Sequence, residues 1–210
     1  MKIIRIPVGG LRTNCYIGAI EDDCAFVIDP GAEPEKILEK LDSNALTLEL
    51  ILLTHGHYDH TGALEILSEA TGCKKIYIGE EDKELLEDSK KSCADTVGQK
   101  SVDLGKLAIF TVKEEINLGQ SKITVIKTPG HTKGSVCFLV GDVLFSGDTL
   151  FRNDVGRTDM YGGDRAQLES SLEKLLRLPG DLIVCPGHGL KTKIENERHL
   201  SEGENRDGSK

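Results

Sequence analysis

Residues 50–60 read Leu-Ile-Leu-Leu-Thr-His-Gly-His-Tyr-Asp-His. The apolar run 50–53 is short and unbroken, the pattern of a strand covered on both faces rather than of a half-exposed helix. The polar residues behind it place three imidazoles and one carboxylate, His55, His57, Asp59 and His60, within six positions of a chain that has six histidines in all. Their spacing does not form one face of a helix. On a loop at a strand end, however, neighbouring side chains can converge on one point. Imidazole nitrogen with carboxylate oxygen and no thiolate is the donor set of borderline divalent metals such as zinc, iron or manganese.

The same arrangement recurs further along. The strand-like run 122–128 stops at Pro129-Gly130-His131, the run 143–146 leads into Gly147-Asp148-Thr149, and the run 182–185 ends in Pro186-Gly187-His188-Gly189. Loops at the ends of a rigid sheet are the usual seat of a site. His131, Asp148 and His188 are therefore the candidates to join the first cluster.

Between these points the chain alternates strands and helices. Residues 2–8, 15–20 and 24–28 are rich in Ile, Val, Tyr and Phe, are broken by Gly9-Gly10 and Glu21-Asp22-Asp23, and read as three successive antiparallel strands. Residues 33–41 put Ile37, Leu38 and Leu41 on one helical stripe after the turn Asp29-Pro30-Gly31. A second helix runs from Thr61-Gly62 to about Ala70, with Leu64 and Leu67, and Ile66 beside them, facing inward. A strand at 75–78 and a charged helix at 80–87 follow, then a polar connection or lid at 88–105. Strands at 108–112 and 122–128, a hairpin of 136–140 with 143–146, a glycine-rich loop at 153–163, a helix at 164–176 and a strand at 182–185 complete the pattern. This order implies an α/β (α+β) fold: a four-layer αββα sandwich of two mixed sheets packed face to face, with helices on both outer faces. Residues 1–201 read as a single domain, and the polar residues 202–210 as a disordered tail.

Composition narrows the class of function. A formal charge of -9 with no clustered basic surface argues against a nucleic-acid partner, because binding phosphates needs concentrated Lys and Arg. It leaves room for a small anionic substrate, since bound metal supplies positive charge that a residue count ignores. Six cysteines without a C-x-x-C pair read as reduced, mostly buried small hydrophobes. No run reaches the roughly 18 apolar residues of a membrane span, and the N-terminal stretch is too short for a signal-peptide core, so the expected location is the cytoplasm.

Taken together, the four motifs resemble those of the metallo-β-lactamase fold hydrolases, and among them the glyoxalase II-like group. His55-Gly56-His57-Tyr58-Asp59-His60 is similar to the H-x-H-x-D-H signature of that family. Gly130 to Ser135 resembles its second motif, Ser146 to Phe151 its third and Pro186 to Gly189 its fourth, in the same order over residues 55–188. The resemblance implies one metal ion held by His55, His57 and His131 and a second held by Asp59, His60 and His188, with Asp148 bridging them. The implied cofactor is two divalent ions per chain, zinc first, with iron or manganese as alternatives. A pair about 3.5 Å apart that shares a carboxylate and a hydroxide would carry a formal charge of about +1 and favour an anionic transition state. The implied reaction is hydrolysis of a thioester by a bridging water, with Asp59 acting as a ligand rather than as a general acid.

Two departures bear on the substrate. Too few residues follow Thr192 to build the C-terminal helical domain that contributes cationic contacts to glutathione in full-length glyoxalase II. Arg157 matches the position of a basic glutathione contact, but Asp159 and Leu190 stand where aromatic partners are expected. Arg157 is thus a candidate substrate-binding residue, or else an arginine tied to Asp159 or Asp154. Persulfide dioxygenases of the same fold, which would use His55, His131 and Asp148 on a single iron, and lactonases are the alternative readings.

Overall fold

The computed structural model describes residues 1–20 and 23–201. The expected turn at Glu21-Asp22 and the expected tail at 202–210 lie outside the described residues. The first sheet is built from β1 (Lys2–Val8), β2 (Thr13–Ala19), β3 (Cys24–Ile28), β4 (Thr47–Leu52), β5 (Ile76–Ile78) and β6 (Ile109–Thr111), hydrogen-bonded in that order. The pairs β1–β2 and β2–β3 are antiparallel, and the next three pairs are parallel, so the sheet is mixed. The parallel connections are made by α1 (Pro34–Ser43), by α2 (Tyr58–Thr61) with α3 (Leu64–Thr71), and by α4 (Lys83–Glu87) with the segment behind it.

The second sheet contains β7 (Glu115–Leu118), β8 (Ser121–Lys127), β9 (Val136–Val140), β10 (Val143–Gly147), β13 (Ile183–Pro186) and β14 (Thr192–Lys193), in the order 14-13-10-9-8-7. A small hairpin, β11 (Leu150–Phe151) with β12 (Asp154–Val155), leads towards α5 (Arg165–Leu176). The short helix α6 (Ile194–Glu197), continued by a single 3-10 turn at Arg198–Ser201, closes the described chain.

Alternation along the strands explains the four layers. Side chains two apart share a face, so Phe26, Ile28, Leu50 and Leu52 meet Ile123, Val125, Phe138 and Phe145 between the sheets. Ala25, Val27, Ile51 and Leu53 point the other way, against Ile37 and Leu41 of α1 and Leu64 and Leu67 of α3. On the far side, Leu168, Leu172, Leu175 and Leu176 of α5 cover Cys137, Leu144 and Val184. Each large apolar side chain buried in this way contributes about 1.5–3 kcal/mol. The fully apolar run 50–53 is thus explained: β4 is covered on both faces.

The structure departs from the sequence reading locally. The strand β7 escapes a composition argument because Glu115 and Asn117 are exposed while only Ile116 and Leu118 are buried. The helix expected from Thr61 is split, with one turn at Tyr58–Thr61 and a separate helix from Leu64. Ile66 is 53% exposed rather than inward. The segment 88–105 is tied down: Ser92 O accepts from Tyr58 N at 3.0 Å and Val102 N donates to Leu86 O at 2.9 Å. Among the described residues no helix is long and apolar enough to cross a membrane.

Candidate metal centre

All seven sequence-predicted ligands come together. The ligand atoms of His55, His57 and His131 lie within 4.8 Å of one another, as do those of Asp59, His60 and His188 and those of His55, His60 and Asp148. Asp148 faces both sets: its Oδ1 is 3.5 Å from His60 Nε2, and its Oδ2 is 3.7 Å from His131 Nε2 and 3.5 Å from His188 Nε2. His199, the sixth histidine, is exposed and bonded to Asn196 O instead.

Partners on the far side of each ring fix how it points. His55 Nδ1 lies 3.1 Å from Thr54 Oγ1, His60 Nδ1 2.9 Å from Asp29 Oδ2, His131 Nδ1 2.8 Å from the carbonyl of Arg157, and His188 Nδ1 3.3 Å from the carbonyl of Leu11. A proton on the outward nitrogen of each ring, held there by its partner, would leave the inward Nε2 its lone pair, the form a metal requires. His57 enters the other way round, with Nδ1 3.0 Å from His131 Nε2.

Buried polar atoms normally find partners, and leaving one without costs about 1–3 kcal/mol. Here four such atoms, Nε2 of His55, His57 and His60 and Oδ1 of Asp148, have no partner and lie in one place. A cation answers all of them, and two carboxylates, Asp59 and Asp148, each bring an oxygen to 3.5 Å from His60 Nε2 at the same point. The residues therefore fit divalent metal.

Electrostatics separate the rings. Burial, aided by the neighbouring histidines, holds His55 well below the usual imidazole range, and burial together with His131 holds His57 at about 3. Both are neutral ligands in waiting. His60 goes the other way: burial opposes its charge, but Asp59, Asp148 and Asp29 together push it up to about 10. Asp59 is held far below the carboxylate range, because His60 and His188 and the hydroxyl of Thr13, which donates to Oδ2 at 2.7 Å, outweigh the opposing effect of burial.

Three supporting groups were not legible in the sequence. Asp29 adopts a left-handed backbone, φ 51°, which Asp tolerates better than most residues. Its Oδ1 accepts from Thr54 N at 2.8 Å, and its Oδ2 from Thr54 Oγ1 at 2.7 Å. The fully buried Asp82 accepts from Gly56 N at 2.9 Å, Thr132 Oγ1 at 2.7 Å and Gly134 N at 2.7 Å, joining the loop of His55 and His57 to that of His131. Asn14 holds the last loop, donating from Nδ2 to Pro186 O at 2.9 Å and Gly189 O at 3.0 Å. For Asp29 a signal existed, a carboxylate at a strand end like the ligands themselves. For Asp82, inside a charged run, there was none.

Arg157 is exposed, and its guanidinium forms a two-pronged pair with Asp159, Nε to Oδ1 and NH2 to Oδ2, both at 2.6 Å. Close by in sequence, Tyr161 donates to Glu84 at 3.1 Å, with Lys91 Nζ 4.8 Å and Lys133 Nζ 5.6 Å from its ring centroid.

Comparison with known proteins agrees with this geometry. The family described as Metallo-beta-lactamase superfamily matches residues 8–188. The hydroxyacylglutathione hydrolase GloC of Haemophilus influenzae is 36% identical over 203 residues, 94% of this chain and 95% of that protein. The crystal structure of the B3 metallo-beta-lactamase BLEG-1 superposes with TM-score 0.90 at 33% identity, over 96% of this chain and 100% of that one. TTHA1623, in a di-iron-bound form, gives TM-score 0.81 at 36% identity over 92% and 96%.

Proposed function

Because the chain belongs to the metallo-beta-lactamase superfamily and is on that ground a metallo-hydrolase, we propose that its substrate is a thioester with an anionic thiol portion, as in hydroxyacylglutathione. The observation that carries this reading is the near full-length likeness to GloC, joined to a site that has all seven ligands. His55, His57 and His131 would hold one ion, Asp59, His60 and His188 another, and Asp148 would serve both. When bound, such ions lower the pKa of a water towards 7 and polarise a carbonyl.

The chain's own residues supply orientation. Asp29 keeps the His60 proton on Nδ1, Thr54 does the same for His55, and the carbonyls of Arg157 and Leu11 do so for His131 and His188. Thr13 keeps Asp59 an ionised acceptor, which suits a ligand and not an acid. Arg157, Lys91 and Lys133 supply cationic groups for the anionic thiol portion of the substrate.

The test is hydrolysis by metal-loaded protein of S-lactoylglutathione and a thioester panel, against His57→Ala. Activity lost in the variant supports the reading, and no thioester cleaved above the variant ends it. A chromogenic β-lactam belongs in the panel, since BLEG-1 shares the whole fold. Oxygen uptake with glutathione persulfide at about one iron per chain would instead favour the mononuclear face of His55, His131 and Asp148.

A further inference from the structure

Beside the metal centre lies a pocket of about 300 Å3 that includes Asp59 in its wall. Its other walls come from three separate turns. Leu11 stands on the turn between β1 and β2, Ala32 follows the turn after β3, and Val97 and Gln99 belong to the segment behind α4, with Tyr58 beside Asp59.

Two features of this pocket are unusual. Leu11 is 56% and Val97 51% exposed, large apolar side chains held out in water on the rim of one cavity. Local backbone enforces both. The Leu11 turn is closed by Arg12 N to Gly9 O at 3.2 Å with Arg12 at φ 56°, and the Val97 turn by Gly98 N to Asp95 O at 3.1 Å with Gly98 at φ 71°. Exposed apolar groups gathered at a cleft mark a binding surface. The second feature is charge: apart from the ligand Asp59, no lining residue is charged. Arg157, in contrast, belongs to the loop that holds His131 through its carbonyl, and Tyr161, four positions on in the same loop (161 minus 157), carries Lys91 and Lys133 near its ring. Leu11 is also fixed to the centre, since its carbonyl accepts from His188 Nδ1 at 3.3 Å.

We infer that this pocket is the acyl subsite. It takes the uncharged aliphatic chain next to the scissile carbonyl, packed between Leu11 and Val97, while the anionic thiol portion lies towards Arg157. The inference rests on the thioester reading above and narrows it to neutral acyl groups over charged ones. A carboxylate at the end of the acyl chain would lose hydration in a pocket that offers no cation and already holds Asp59.

The experiment uses metal-loaded protein and glutathione thioesters with acetyl, propionyl, butyryl and succinyl groups. The expected kcat/KM rises about three- to fourfold per methylene from acetyl to butyryl, and succinyl falls at least about tenfold below butyryl. Val97→Lys, a change at a half-exposed position, should lower the butyryl rate and raise the succinyl rate. Activity with a flat chain-length profile and an unchanged butyryl to succinyl ratio in Val97→Lys overturns the subsite and leaves the thioester reading standing.

Should no thioester be cleaved, the pocket is tested by binding. Methyl resonances of Leu11 and Val97 in the zinc-loaded protein, assigned from Leu11→Met and Val97→Ala, should shift with butyrate and not with succinate. Absence of those shifts overturns the inference independently of any turnover.

Discussion

Asp29 Oδ2 lies 2.9 Å from His60 Nδ1, so a carboxylate 31 positions earlier in the chain sets which nitrogen of a ligand faces the centre. The same carboxylate takes two hydrogen bonds from Thr54, the residue before the first histidine. Replacing such an outer partner costs metal affinity about 10- to 100-fold. Under the two-ion reading, Asp29→Asn should therefore weaken binding of the ion held by His60 by that factor. A two-site competition titration with a chromogenic chelator measures it.

Metal binding should release protons. Without metal, His60 has its pKa raised to about 10, above its unfolded value, so its ion pairs stabilise the fold fully at acidic pH and are lost as pH rises through about 10. His55 and His57 are depressed and act in the opposite sense, destabilising the metal-free fold as pH falls below the ordinary imidazole value. The metal-free chain should then be most stable near neutrality, with a falling alkaline limb that His60→Gln removes. Calorimetric metal titrations at pH 8 in buffers of different ionisation enthalpy should show release of about one proton, from His60.

Gly187 is a glycine for lack of space rather than for its backbone angle. A Cβ there would collide with Asp148 Oδ1 and stand 2.8 Å from His60 Cε1. Gly187→Ala should thus keep the secondary structure but displace the carboxylate that faces both ligand sets. Metal content by elemental analysis should drop below that of the wild type, with far-ultraviolet dichroism unchanged.

Asp82 joins two metal loops without touching a ligand. Asp82→Ala strands two buried backbone N–H groups, at about 1–3 kcal/mol for each left unsatisfied, while the Thr132 hydroxyl keeps Ser135 Oγ at 2.6 Å. The expected loss of stability is at least about 2 kcal/mol by urea unfolding. Asp82→Asn, which keeps an acceptor of the same shape, should recover part of it.

The pair of Arg157 with Asp159 is 64% and 65% exposed, and pairs of that kind contribute about 0–1 kcal/mol. Arg157→Ala should leave unfolding almost unchanged. Under the thioester reading it should raise KM for a glutathione thioester several-fold at nearly constant kcat, the pattern of a lost binding contact. An unchanged KM would assign the side chain to Asp159 alone.

The sequence by itself determined the candidate ligands and the layers. His55, His57, Asp59, His60, His131, Asp148 and His188 stand at strand ends, and alternation along strands such as 24–28 is a property of consecutive residues, which a linear reading can see. Only the tertiary structure decided what orients those ligands. Asp29 reaches His60 across 31 positions, Asp82 reaches Gly134 across 52 and Asn14 reaches Pro186 across 172. These contacts depend on the positive φ of Asp29 and on the packing of two sheets, neither of which leaves a periodic trace along the chain. The pocket between Leu11 and Val97 is of the same kind: two unremarkable apolar residues 86 positions apart (97 minus 11) become a surface only when their turns meet beside Asp59.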